Sequence, residues 1–243
     1  MSAQTAAVLG LDTATADTAV AVASADRVLG ERSSAPRDAR RPRHAADLLA
    51  ELEAVVEDSG GWRQVERISV GVGPGGFTGL RVGIATARAL AQGRRLPIAG
   101  VGTLAALARA IAVANDDHRP ALALIDARRG ELFAALHEAD GREAWKPFVA
   151  TAETLCARLA KLGELPLAGG DGSLRSRAVL EAAGVEVLPD SHPAHRLAAR
   201  HICALAGVTE AGIPELVKPI YLRRPDAEVW RERRAADRES RPG

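Results

Sequence analysis

The chain has 243 residues, 47% of them hydrophobic and 26% charged, a balance that lets two compact halves bury cores without disulfides or metals. Its net charge is only +1 and aromatics make up 3%. Both figures count against a protein that grips a nucleic acid unaided, which needs a basic excess and stacking rings. Cys156 and Cys203 lie outside any CxxC spacing and read as free thiols in a reducing compartment. No basic stretch followed by an apolar run opens the sequence, and the longest uncharged run, 98–108, is too short and Gly-rich to span a bilayer. A cytoplasmic location is the expectation.

In chain order, three short strands come first, at 6–11, 18–23 and 28–33, separated by polar turns, which suggests an antiparallel meander. A basic loop at 37–43 follows, and Arg37, Arg40, Arg41 and Arg43 are candidate contacts for a phosphate backbone, with solvated charge as the simpler reading. The helix at 45–58 carries Leu48, Leu49, Leu52, Val55 and Val56 at helical spacing and stops at Gly60-Gly61. A strand at 67–72, a helix at 78–92 ended by Gly93, a strand at 97–101 and a helix at 103–114 complete the first half. The pattern then restarts. Strands at 121–126, 131–137 and 146–150 precede a helix at 154–162, a strand at 165–168, a helix at 174–183, a strand at 185–188 and a helix at 197–210. Element order alone therefore predicts a duplication, with domains 1–116 and 117–222 and a charged tail at 223–243 expected to be solvated or disordered.

The stretch Gly73-Pro74-Gly75-Gly76-Phe77-Thr78-Gly79-Leu80-Arg81-Val82-Gly83 sits between a predicted strand and a predicted helix, where backbone amides can meet an anion. Thr78 is the expected N-cap. It is not a dinucleotide motif, because no acidic residue follows near position 93, nor a P-loop, because it has no lysine. Within the helix, Gly79, Gly83, Ala87 and Ala91 recur every four residues and make a narrow face that another helix could approach closely, inside the fold or outside it. Arg81 in the first turn opposes the helix dipole, so a carboxylate, a bound phosphate or water must receive it.

This segment resembles the hallmark of the TsaB (YeaZ) family, glycoprotease-related members of the actin-like ATPase superfamily. Four further blocks resemble the same family in order: Leu9-Gly10-Leu11-Asp12-Thr13-Ala14-Thr15, Arg43-His44 with Leu48-Leu49, Ile125-Asp126-Ala127-Arg128-Arg129-Gly130-Glu131-Leu132-Phe133, and Gly169-Gly170-Asp171-Gly172 with Pro219-Ile220-Tyr221-Leu222-Arg223. The similarity runs over about residues 6–224. One departure is Gly76, where the family more often has Ser.

The resemblance implies an α/β fold of two tandem actin-like (ribonuclease H-like) domains, each a mixed sheet flanked by helices. It also implies a non-catalytic scaffold for making threonylcarbamoyladenosine beside the tRNA anticodon, bound to a TsaD homologue, with the TsaE ATPase in a larger complex, and with tRNA met only through the complex. The partner-facing surface could pair two copies of the chain through a two-fold contact when the partner is absent, and the sequence leaves monomer and homodimer both open. Thr78, Gly79, Leu80, Gly83, Ile84, Ala87 and Ala91 are the expected partner interface, and Asp12, Thr13, Gly75, Gly76 and Arg81 are a degenerate nucleotide or anion contact. Asp126 stands at a corresponding strand end. Catalytic relatives carry a His-x-x-x-His metal pair, but here His44 is followed by Leu48, and His192 and His195 flank Pro193 in a loop. No metal, cofactor or catalytic residue is expected, and no peptidase signature is present. The competing expectations are an independent actin-like ATPase or small-molecule kinase, and a proteolytic or regulatory factor.

Overall fold

Large and small side chains alternate along the opening strands, and that alternation decides which helix each sheet face can accept. The computed structural model describes residues 7–36 and 43–223. Arg37, Arg40, Arg41 and the tail at 224–243 lie outside the described residues, while Arg43 is exposed beside Asp47.

The first sheet contains β1 (Ala7–Asp12), β2 (Thr18–Ala23), β3 (Val28–Ser34), β4 (Val65–Gly71) and β5 (Ile98–Val101), in the order β3-β2-β1-β4-β5. Its first three strands pair antiparallel as a meander, and β4 and β5 add in parallel. The second sheet contains β6 (Ala121–Arg128), β7 (Glu131–His137), β8 (Glu143–Thr151), β9 (Leu167–Gly169) and β10 (Glu186–Val187). Its order, β10-β9-β6-β7-β8, repeats the first from the other end, with the same antiparallel and parallel pairings. The fold is thus α/β with two mixed five-stranded sheets, the duplication that element order predicted.

On one face of the first sheet, Leu9, Leu11, Val20, Val22, Ile68 and Val70 pack against α1 (His44–Asp58) and α2 (Phe77–Arg94). The opposite face presents Gly10, Ala19, Ala21 and Ala23 to α7 (Ala199–Ala206). Small residues are required there, because a Cβ on Gly10 would lie 2.6 Å from Cys203 Sγ on α7. That packing buries the Cys203 thiol and pushes its pKa up to about 12, which makes it inert. In the second sheet, Leu122, Leu124, Leu132 and Leu136 face α4 (Ala152–Leu159) and α6 (Arg177–Ala182), while Ala121, Ala123, Ile125 and Phe133 face α3 (Thr103–Val113). Helices α3 and α7 also touch each other, so they fill the space between the sheets. The last described segment returns to the first sheet: Gly212 pairs with Ile98, and the Ile220 amide donates to the Val72 carbonyl at 2.7 Å.

Several boundaries differ from the sequence expectation for local reasons. Helix α2 runs through Gly93 to Arg94 and ends at Arg95, which takes the left-handed conformation (φ 56°) so that the Leu96 amide can bond the Ala91 carbonyl. The N-cap is Gly76 rather than Thr78. The expected helix 174–183 is split at Ser176 into α5 (Asp171–Arg175) and α6, and α5 lies close against β6, where a Cβ on Gly172 would be 2.9 Å from the Ile125 backbone. Helix α7 stops at Ala206, well short of residue 210, and the Thr209 hydroxyl bonds back to the Leu205 carbonyl. Strand β8 is longer than expected, spanning Glu143–Thr151.

Candidate functional site

The turn after β1 is built into the glycine loop that precedes α2. Asp12 is buried at the end of β1; its Oδ1 accepts from the Ala14 amide at 2.7 Å and its Oδ2 from the Thr103 hydroxyl at 2.8 Å. That hydroxyl also accepts from the Gly73 amide at 3.1 Å, and the Thr103 amide donates to the Gly73 carbonyl at 2.9 Å. Asp12 needs Gly71 beside it, because a Cβ there would sit 1.6 Å from Oδ2. Burial pushes the Asp12 carboxyl up to about 6, and the two hydrogen bonds pull it only partly back.

The neighbouring residues interlock in the same way. The Thr13 hydroxyl donates to the Gly79 carbonyl at 2.7 Å, and the Gly76 amide donates to the Ala14 carbonyl at 2.7 Å. A Cβ on Gly75 would lie 2.3 Å from the Ala14 oxygen. Among the five residues expected at an anion contact, Asp12 and Thr13 are therefore buried in this interlock, and the Gly76 amide is engaged in it. Arg81 is exposed and points elsewhere: its guanidinium lies 3.8 Å from the Phe77 ring centroid, and its Nε donates to the Tyr221 hydroxyl at 3.2 Å.

The small-residue face of α2 turns inward, toward the chain's own fold. Gly79, Leu80, Gly83, Ile84, Ala87 and Ala91 are all buried within the chain's own fold, and only Thr78 of that set is exposed. The close approach that the glycines permit is to the β1 turn: a Cβ on Gly79 would meet the Thr13 carbonyl oxygen, and one on Gly83 would lie 2.3 Å from Thr13 Oγ1. The outward side of α2 exposes the short side chains of Ala85 and Ala89 between those of Arg81 and Gln92, with Val82, Thr86 and Arg88 half-buried. Beside it, α1 leaves Leu49 60% exposed while Leu48 and Leu52 enter the core.

Between the two sheets lies a cleft of about 240 Å³. Thr15, Ala16 and Asp17 line one side, and Ile125, Asp171 and the segment from His195 to Leu197 line the other. Arg196 Nε donates to Asp17 Oδ2 at 2.6 Å, tying the segment before α7 to the β1–β2 turn. Asp126 accepts from the Arg128 amide at 2.8 Å and pairs with Arg175 at 3.3 Å, while its own amide donates to Asp171 Oδ1 at 3.0 Å. Loss of hydration pushes the Asp171 carboxyl up, with Asp126 and Asp17 adding to the shift.

The histidines are held separately. His44 Nδ1 meets the Thr18 hydroxyl at 2.8 Å, burial lowers its pKa, and Leu48 one turn on is in the core. His195 is buried with its ring nitrogens 3.0–3.1 Å from the carbonyls of Gly170, Leu188 and Pro189. His192 accepts from the Ala194 amide. Among the described residues, no three His, Cys, Asp or Glu side chains are grouped to hold a metal ion, and no helix is long and apolar enough to cross a membrane.

Sequence reasoning missed Thr103 and Arg196, whose roles arise only where the chain folds back on itself. It did note Tyr221 within a motif, yet not that this tyrosine stacks on Phe77, with ring centroids 5.2 Å apart.

The family model described as "TsaD: tRNA N6-adenosine threonylcarbamoyltransferase" matches residues 32–181. The chain is 34% identical over 139 residues to the tRNA threonylcarbamoyladenosine biosynthesis protein TsaB of Escherichia coli, a match covering 57% of this chain and 58% of that protein. An uncharacterized protein of Mycobacterium tuberculosis is 34% identical over 227 residues, covering 92% of this chain and 95% of that one. Among solved structures, YeaZ from Pseudomonas aeruginosa superposes with a TM-score of 0.71 at 26% identity, covering 89% of this chain and 100% of that one.

Proposed function

The chain belongs to the TsaB/YeaZ family, and on that premise we propose that it is an accessory subunit in threonylcarbamoyladenosine formation on tRNA, acting by binding a TsaD homologue. The observation that carries this reading is Leu49, a leucine 60% exposed on a helix whose other leucines are buried. Helix α2, which packs beside α1, exposes Ala85 and Ala89, short side chains over which a partner helix can lie close. The partner contact is therefore assigned to the outward faces of α1 and α2, in place of the inward glycine face.

The hydrogen bonding of Asp12 supports an accessory role over an independent ATPase or kinase. Asp12, which an actin-like ATPase would direct at a metal-bound phosphate, has both carboxylate oxygens engaged by Ala14 and Thr103.

The test is light scattering on this chain, alone and mixed with the TsaD homologue of the same organism. A heterodimer is expected, and Leu49→Arg together with Ala85→Arg should weaken it at least a hundredfold without lowering the melting temperature. Undiminished assembly of the folded double variant would refute the surface assignment. Nucleotide hydrolysis by the chain alone would favour the ATPase reading.

A further inference from the structure

Arg81, one turn into α2, is set against the helix dipole, and the fold gives it no anion in return. Among the described residues no carboxylate pairs with it, whereas exposed arginines elsewhere, such as Arg32 and Arg142, close onto Asp58 at 2.9 Å and Asp140 at 2.7 Å. Two of the chain's few aromatics hold it instead. Its guanidinium lies 3.8 Å from the Phe77 ring centroid, and its Nε donates to the Tyr221 hydroxyl at 3.2 Å. The two rings stand 5.2 Å apart, tilted by 34°. The Ile220 amide, bonded to the Val72 carbonyl, fixes the backbone that carries Tyr221.

Stacking and that hydrogen bond fix the plane of the guanidinium, and its remaining N–H donors have no acceptor among the described residues. A planar fork of this kind matches the two oxygens of a carboxylate. Because it is held in place before anything binds, little side-chain freedom is lost on contact. Its neighbours on the helix indicate what carries the carboxylate. Thr78 and Ala85, three residues before Arg81 and four after it, share its side of α2, and both are exposed, short and uncharged. Arg81 thus stands at one end of the strip of Ala85 and Ala89 over which a partner helix can lie. A nucleic-acid backbone would call for several convergent cations instead.

We infer that Arg81, clamped by Phe77 and Tyr221, receives a carboxylate of the TsaD homologue and anchors the partner contact at the N-terminal end of α2. The inference rests on the proposed binding of that homologue, and it adds a charged anchor to the surface of Leu49, Ala85 and Ala89. Arginine and tyrosine are the side chains on which binding energy concentrates at protein interfaces. Phe77 and Tyr221 act through Arg81, as positioning residues that hold its fork toward the partner.

The test is calorimetric titration of the TsaD homologue into this chain at several salt concentrations, without nucleotide or RNA. Arg81→Ala should weaken binding about tenfold or more and flatten its salt dependence, and Arg81→Glu should weaken it further, both at the parent's melting temperature. Tyr221→Phe, which frees the guanidinium but keeps the ring, should lose less than Arg81→Ala. Reversing the exposed carboxylates of the homologue one at a time to Arg should find one change that restores binding to Arg81→Glu. A parent chain that does not bind removes the partner reading, and this inference with it. Folded Arg81 variants that bind with the parent's affinity and salt dependence overturn the anchor alone and leave the Leu49 surface standing. Three other results overturn it too. A lowered melting temperature would make the cluster a structural clasp, and a loss seen only with nucleotide or tRNA present would make Arg81 a phosphate contact. Failure of every reversal to restore binding would leave the carboxylate without a carrier.

Discussion

Asp12 is the residue whose chemistry the sequence least prepared for. A carboxylate at a strand end before a turn reads as a local hydrogen-bonding residue or a phosphate-site remnant, and only the fold reveals that Thr103, 91 positions away, closes over it. Its pKa rises from 3.8 to about 6, so the folded state holds the proton more tightly than the unfolded state. The stability contributed by protonation is fully present below about pH 3.8 and is lost as pH rises through 6. At about 1.36 kcal/mol per unit the loss is about 3 kcal/mol. Asp12→Asn should therefore be more stable than the parent above pH 7, by about 1–3 kcal/mol, with the advantage vanishing near pH 4. Urea unfolding of both proteins at each pH gives that difference directly. An advantage that stays constant across the range would contradict the buried, proton-binding carboxyl.

Helix α2 illustrates what periodicity can and cannot disclose. The four-residue recurrence of Gly79, Gly83, Ala87 and Ala91 was legible and does mark a close-packed face. Which neighbour it packs against was not, because a small face serves a partner helix and an internal strand turn equally well. The structure decides by contact: Thr13 fills the space that side chains at positions 79 and 83 would need. Gly79→Ala should accordingly cost about 1–3 kcal/mol through overpacking, despite the gain of up to ~1 kcal/mol in helix propensity. Gly93→Ala is the opposite case on the same helix. Nothing lies within 4 Å of a Cβ there, so it should stabilise by up to ~1 kcal/mol. Thermal or denaturant unfolding of the pair tests the assignment by sign, and a stabilising Gly79→Ala would show that the face is open. The helix end was misread for a related reason. Gly93 looked like a stop, but the burial of Leu96 against the first core sets the end instead, at a left-handed Arg95.

At the scale of the whole molecule, the duplicated meander-then-parallel order could be read from the succession of apolar runs and turn residues, and both sheets follow it. The space between the halves could not. Helix α7 belongs late in the sequence yet packs on β1 and β2, where Gly10 and three alanines leave room for it, and Arg196 and Arg200 pair with Asp17 and Glu31 of the first half. Those long-range contacts fix the cleft, and the Arg81–Tyr221 hydrogen bond separately ties the last described segment to α2, so the candidate sites emerge only with tertiary packing. The result is a molecule whose β1 turn is locked by its own hydrogen bonds while Leu49 of α1 faces outward. That arrangement suits a subunit that positions other molecules.

Reconstitution tests the accessory role most directly: threonylcarbamoyl transfer to an unmodified tRNA transcript, assayed with the TsaD homologue and its companion factors, with this chain present or omitted. Modification should require this chain, fail when Leu49→Arg/Ala85→Arg replaces it, and not be produced by the chain alone. Full modification in its absence would contradict the proposal.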